Sequence, residues 1–410
     1  MTLPATMNEP AVRPASTAGT ALLLTGGGAR AAYQVGVLQG LAALQRRYRP
    51  GQPALPFDIV VGTSAGAINA AAVASEADCF RLGVARLAHV WSRFRTRQVY
   101  RADRSHALGA SLRWLALMSL GWLHARDDRL QPHSLLDNAP LRMLLRGKLR
   151  LERLPTLLAS GQLRALAVTT SCYSSGTHVT FYDGVDEIRD WGRPHRQAVR
   201  CAIDVEHLMA SSAIPFVFPA ARIAAGSQVA YHGDGSMRQL SPLAPAIHLG
   251  ARRVLAVGVA HAHEPAEDCF IQSPGYPSLS QVASHVLSSI FLDTLAGDAM
   301  RLKRVNHTLS LLGPEQRAAT PLRPVELLSI TPSRRLDEVA ARHTASLPPA
   351  MRMLLSNLGK RGNTLNTRSA ALATYLLFEA GYTRELMRLG RADALAQAPA
   401  IARLLGWPTS

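Results

Sequence analysis

The most chemically suggestive stretch of the chain is Gly62-Thr63-Ser64-Ala65-Gly66. A G-x-S-x-G turn between a strand and a helix holds a serine hydroxyl on a tight, strained corner, where it can act as a nucleophile. Both flanks have the required character. Phe57 to Val61 (FDIVV) is a short apolar, β-branched run of strand length. Ala65 to Val73 is small and mostly apolar, which suits a helix packed closely on a sheet. Gly62 and Gly66 relieve backbone clashes on either side of Ser64. The helix that follows presents unpaired N–H groups and its positive dipole end to the serine oxygen.

Acyl transfer by such a serine needs a site for an oxyanion and a base. Thr20 to Thr25 (TALLLT) reads as a strand and runs straight into Gly26-Gly27-Gly28, followed by a helix with Tyr33, Val37, Leu38, Leu41 and Leu44 at three- and four-residue spacing. Strand, glycine loop, helix and a second strand at Phe57 form a βαβ unit, so the glycine loop and Ser64 leave neighbouring parallel strands at one sheet edge. Three glycines expose successive N–H groups without side-chain obstruction and can cradle a developing negative charge. The rival reading is a nucleotide-phosphate loop. Residues 26–31 (GGGARA) approximate G-x-G-x-x-G, but Ala31 replaces the last glycine and no Walker lysine follows. Two Asp-Gly pairs, Asp183-Gly184 and Asp234-Gly235, offer a carboxylate base, and each also reads as a simple turn. A Ser-Asp-His site would need one of His232, His261 or His263, whereas a two-member Ser-Asp site would not.

The elements that must position these groups read as an α/β layered domain. Leu163 to Ser171 is a core strand with Thr177 to Tyr182 as its hairpin partner, and Arg200 to Ala210 is expected to be helical. Gln228 to Tyr231 is a brief strand ending at His232, Arg253 to Val259 a buried strand, and Glu326 to Ile330 a last one. A helix is expected to begin at His133, and Ala370 to Gly390 reads as continuously helical. Residues 1–19 read as a disordered tail and 77–154 as a basic helical insertion. Within that insertion, 108–124 form a core helix or a lipid-facing lid. The sequence has 410 residues and is 48% hydrophobic, enough for a large core, and no run of eighteen uncharged apolar residues suggests a membrane span. Its cysteines, Cys79, Cys172, Cys201 and Cys269, form no C-x-x-C pair, so no metal or redox motif is expected, and reduced thiols fit a cytoplasmic location. The net charge of +17 reads as a surface for anionic lipid, a surface for nucleic acid or an aid to solubility alone; 6% aromatic residues and no basic-aromatic interleaving argue against nucleic acid, and the serine-hydrolase motifs favour an anionic lipid surface over it.

Four blocks in this order, TGGGARAAYQVGVL, VGTSAGAINAAA, SSAIPFVFP and HGDGSMRQLSPLAPAIHLGARRVLAV, resemble the patatin-like phospholipases over roughly residues 20–310. The remainder, 311–410, is similar to the helical C-terminal extensions of some bacterial members. The resemblance implies a mainly parallel central sheet flanked by helices and a Ser-Asp dyad acting on phospholipid or other fatty-acyl esters, with no cofactor. It assigns Ser64 as nucleophile and Asp234, not Asp183, as general base. It assigns Gly26, Gly27 and Gly28 as the oxyanion loop, with Arg30, Gly62, Gly66 and Gly235 in support. Two residues depart from the family pattern: Ala31 stands for a frequent glycine, and Ser236 stands where glycine or alanine is usual. The rivals are an α/β-hydrolase with a Ser-Asp-His triad and a catalytically silent lipid-binding module of the same fold. The sequence leaves the oligomeric state open.

Overall fold

The computed structural model describes residues 19–101, 134–225, 228–261, 294–349, 352 and 374–408. Residues 1–18 of the N-terminal tail, the apolar run at 108–124, His133, His263 and Cys269 lie outside the described residues, and Gly19, read as the end of the tail, begins the first strand.

The chain opens with β1 (Gly19–Leu24), a single 3-10 turn at Gly28–Ala31, α1 (Ala32–Tyr48), β2 (Ile59–Thr63), α2 (Ala65–Ala74) and α3 (Phe80–Trp91). Later strands are β3 (Ala165–Cys172), β4 (His178–Gly184), β5 (Gly192–Arg193), β6 (Arg196–Arg200), β7 (Ala221–Ala225), β8 (Gln228–Asp234), β9 (Ala251–Val257) and β10 (Glu326–Ile330). They form one sheet in the order β10-β9-β1-β2-β3-β4-β6-β5, with β8 also paired to β3 and β7 to β8. The centre, from β10 to β3, is parallel. Alternate residues of these strands enter opposite cores. Leu22, Leu24, Val60, Leu166 and Leu255 pack with α1 to α3. Ala21, Leu23, Ile59, Val61 and Val254 pack on the other face against the helix Leu295–Leu311.

Two registers place the loops. Leu24 lies opposite Gly62, so the glycine loop after β1 and Ser64 after β2 emerge side by side. β2 ends with Thr63 opposite Thr169, and β8 arrives antiparallel and ends with Asp234 opposite Thr170. β8 thus takes over β3 where β2 stops, and the ends of β2 and β8 meet head to head.

The C-terminal helix Ala380–Ala396 packs along α1 at backbone distance. A Cβ on Gly36 would collide with the Met387 carbonyl, one on Gly40 with Ala394, and one on Gly390 with the Tyr33 carbonyl. The Tyr33 hydroxyl donates to Asp393 at 2.9 Å, and Asp393 also accepts from the Ser333 amide and hydroxyl. Burial and the neighbouring carboxylate push the Tyr33 phenol well above its ordinary pKa. Leu377, Tyr382 and Leu386 are fully buried in the same core as α1.

Three sequence expectations are corrected. Arg196 to Arg200 is a strand, because it pairs with β4, and the helix begins only at Val205, capped by the Asp204 carboxylate. Ser134 to Leu136 is not helical. The amides of Leu135 and Leu136 bond to the carbonyls of Phe216 and Val217. The run through Ala370 to Gly390 is interrupted at Leu377–Glu379, where Glu379 is extended. That break lays Tyr375 against the glycine loop.

Gly390→Ala is expected to lose about 1–3 kcal/mol of stability in urea titration, the usual range for overpacking. An unchanged midpoint would mean that the C-terminal helix is not seated on α1.

Candidate active site

Ser64 sits between β2 and α2 with φ 54° and ψ −130°, a left-handed conformation that costs a non-glycine residue about 1–3 kcal/mol. Several contacts hold it. Its amide donates to the Ser211 hydroxyl at 2.8 Å, and that hydroxyl donates to the Thr169 carbonyl at 2.7 Å. Its carbonyl accepts from the Ala67 amide in the first turn of α2. The flanking glycines are demanded by close approach. A Cβ on Gly62 would strike Ala67, and one on Gly66 would strike the carbonyls of Leu24 and Thr25.

The Ser64 hydroxyl donates to Asp234 Oδ2 at 2.6 Å. The other carboxylate oxygen, Oδ1, accepts from the Ser236 amide at 2.8 Å. Ser236 therefore anchors the carboxylate through its backbone, and its side chain does not push Asp234 away from Ser64. Asp234 is fully buried. Burial pushes its pKa up to about 6 from 3.8, opposed by the hydrogen bonds from Ser64 and Ser236. A Cβ on Gly235 would strike the Thr169 carbonyl, so this position admits only glycine without a shift of the strand.

The glycine loop borders the same serine. A Cβ on Gly26 would lie 3.2 Å from Ser64 Cβ and collide with Ser236 Oγ. Gly28, at φ 53°, lines a cavity of about 740 Å³ together with Ser64. Arg30 reaches the C-terminal segment. Its guanidinium bonds to the Thr374 hydroxyl at 2.6 Å and lies 4.3 Å from the Tyr375 ring centre. A Cβ on Gly28 would collide with the Tyr375 carbonyl.

The other titratable candidates lie elsewhere. Asp183 is four positions from Thr170 along β3, opposite Leu166, about 13 Å down the strand from Asp234. His232 Nδ1 meets the Thr170 hydroxyl at 2.9 Å, and burial holds the ring neutral by lowering its pKa to about 4. His261 Nδ1 donates to the Pro332 carbonyl. Among the described residues no group of His, Cys, Asp and Glu is arranged to hold a metal ion, and no helix is long and apolar enough to cross a membrane.

Sequence reasoning missed Ser211, which fixes the Ser64 amide, and the buried bridge Gln34–Asn69–Trp91. In that bridge Asn69 donates to Gln34 Oε1 and to the Ala31 carbonyl and accepts from the Trp91 indole, tying the start of α1 to α2 and α3. Neither carries a local signal, although Ser211 lies in the SSAIPFVFP block.

The family model described as patatin-like phospholipase matches residues 22–247. No curated protein matches the sequence. Among solved structures the chain is similar to VipD from Legionella pneumophila, with 12% identity and a TM-score of 0.32. The alignment covers 90% of this chain and 66% of that one, slightly under two thirds of its length.

Two outcomes follow from this geometry. The folded pKa of Asp234 is raised, so its ionisation opposes folding. That cost is absent below the unfolded value of 3.8 and complete above about 6. Asp234→Asn is therefore expected to be more stable than the parent at pH 8 by on the order of 2–3 kcal/mol, with the gap closing toward pH 4, as measured by denaturant titration. Ser211→Ala strands the Ser64 amide and is expected to lose about 1–3 kcal/mol. Equal stability of parent and Ser211→Ala would remove that anchor from the account.

Proposed function

The chain belongs to the patatin-like phospholipase family, whose domain is that of a lipid acyl hydrolase, and on that premise we propose that it cleaves carboxylic esters of lipids through Ser64 and Asp234 with no histidine. The reading rests on the 2.6 Å hydrogen bond from the Ser64 hydroxyl to a buried carboxylate. A carboxylate with a pKa near 6 is ionised at neutral pH and still basic enough to share the serine proton as attack begins.

In the first half-reaction Ser64 Oγ bonds to the ester carbonyl carbon while its proton passes to Asp234. The carbonyl oxygen becomes an oxyanion beside the Gly26-Gly27-Gly28 loop, whose N–H groups and the α2 N-terminus stabilise it. The carbon–alkoxy bond breaks, and the alcohol or lysophospholipid leaves with the proton from Asp234. In the second half-reaction a water gives a proton to Asp234 and attacks the acyl carbon. The bond to Ser64 Oγ then breaks, the serine recovers its proton, and the fatty acid departs. Gly62, Gly66 and Gly235 serve by admitting backbone at the approaches described above. Arg30 serves indirectly, by clamping Thr374 and Tyr375 over the loop. The net charge of +17 supports peripheral contact with an anionic membrane surface, where such substrates reside.

Purified Ser64→Ala is expected to hydrolyse p-nitrophenyl butyrate at background rate, and Asp234→Asn to lose about 10²–10⁴-fold in kcat. For the parent enzyme kcat/KM should rise as pH passes through about 6 and level off above it, because Asp234 must be ionised to accept the proton. Retained activity in either folded variant, or a profile with no inflection near 6, would sink the dyad.

A further inference from the structure

The turn that follows the helix Val205–Ser211 lies against the tip of β8. The Asp234 amide donates to the Ala213 carbonyl at 2.9 Å, and the Gly235 amide donates to the Ser211 carbonyl at 3.2 Å. Ser212 is therefore clamped on both sides to the backbone that carries the candidate base. Its own backbone is fully used, the amide donating to Leu208 and the carbonyl accepting from Ile214. The two adjacent serines differ in what their side chains do. The Ser211 hydroxyl accepts from the Ser64 amide and donates to the Thr169 carbonyl. Ser212 is only 6% exposed, and its hydroxyl is buried with no hydrogen-bond partner.

That idle hydroxyl belongs to the wall of the 740 Å³ cavity that Ser64 and Gly28 also line. Among the described residues three serines line this cavity. Ser64 is bonded to Asp234 and Ser75 to the Ala72 carbonyl, which leaves Ser212. A serine in the last turn of a helix can satisfy itself by donating to the carbonyl one turn back. Ser212 forgoes that bond. A buried hydroxyl left unpaired is a standing cost, and a ligand oxygen in the cavity removes it. The position tells which oxygen. The oxyanion is served by the glycine loop after β1, whereas Ser212 is fastened to Asp234 and Gly235. The oxygen beside Asp234 is the one with which the carboxylate exchanges a proton.

We infer that the Ser212 hydroxyl is a further catalytic residue, a hydrogen-bond partner for the oxygen that trades a proton with Asp234. The inference rests on the reading of Ser64 and Asp234 as the dyad. It goes beyond that reading by assigning a group to the leaving and the entering oxygen. In the first half-reaction the bond from the acyl carbon to the alkoxy oxygen breaks, and its electron pair stays on that oxygen. Ser212 donates a hydrogen bond to it while Asp234 delivers the proton. In the second half-reaction water occupies the same place, since its attack retraces that departure. One water proton passes to Asp234, and the other O–H donates to Ser212 Oγ, which turns a water lone pair toward the acyl carbon. Ser212 keeps its own proton in both steps. Asp234 by itself offers water a single contact, because its other oxygen is taken by the Ser236 amide. A second contact is what fixes the direction of attack.

The test separates the two half-reactions in Ser212→Ala. Ethyl butyrate has a poor leaving group, so its acylation draws on the bond from Ser212, and kcat/KM should fall roughly tenfold. Nitrophenoxide leaves without help, so kcat/KM for p-nitrophenyl butyrate should stay within about twofold of the parent. Its kcat should fall roughly tenfold, with KM falling in step, because attack of water on the acyl-enzyme is slowed. The urea midpoint of Ser212→Ala should equal or exceed that of the parent, since a buried unpaired hydroxyl has been removed. Parental kinetics on both esters overturn the inference and leave the dyad standing. An equal loss on every kinetic parameter together with a lower urea midpoint also overturns it, because that is the mark of a structural role. A folded parent that hydrolyses neither ester overturns the dyad, and this inference falls with it.

Discussion

The arrangement depends on one buried hydrogen bond, from a serine hydroxyl to a fully buried carboxylate. A carboxylate so placed is expensive to ionise, and it becomes correspondingly eager for a proton. The surrounding fold supplies just enough compensation to keep it useful. One oxygen is satisfied by the Ser236 amide, and the other is left to Ser64. A lysine or arginine in place of either donor would hold the carboxylate ionised and weaken it as a base. The bond exists because β8 continues the pairing of β3 where β2 ends, so the tips of two strands remote in sequence share one edge of a third.

Around that bond, close backbone approach is the recurring device. Glycines at 62, 66 and 235 let α2 and the turn after β8 press onto neighbouring backbone, and Gly26 and Gly28 let the loop lie between Ser64 and the Tyr375 carbonyl. The same device seats the C-terminal helix, where Gly36, Gly40 and Gly390 remove the side chains that would separate it from α1. The C-terminal region is therefore mechanically connected to the site. Arg30 grips Thr374 and Tyr375, and the Tyr100 hydroxyl bonds to the Leu376 carbonyl. Phe378 stands in the cavity wall. The Thr383 hydroxyl fastens the helix to the Trp91 carbonyl at the end of α3.

What could be read without coordinates was local. The glycine loop, the elbow and their flanking elements each fit within some twenty residues, and glycine spacing and apolar periodicity report such units directly. The Glu326–Ile330 strand was legible for the same reason, as a short apolar run between breakers. Pairing across long separations was not. Nothing within Asp234-Gly235 distinguishes it from Asp183-Gly184; only the resemblance did, and it is the register on β3 that brings Asp234 rather than Asp183 to Ser64. Arg200 reads as the start of a helix, whereas it ends a strand whose pairing to the edge of β4 overrides weak propensity. The break before Ala380 is likewise imposed from outside, by the packing of Tyr375 to Phe378. Ser211 acts through one hydroxyl on one amide, a contact that no sequence pattern encodes.

The central claim is that Ser64 is the nucleophile and that Asp234 alone activates it. The most direct measurement is peptide mass spectrometry of the protein after brief reaction with a fluorophosphonate, across pH and in Asp234→Asn. The account predicts a single adduct on Ser64, formed more slowly as the pH drops through about 6 and essentially absent in the folded Asp234→Asn variant. An adduct on another residue, or labelling of Ser64 at the parental rate without the Asp234 carboxylate, would contradict it.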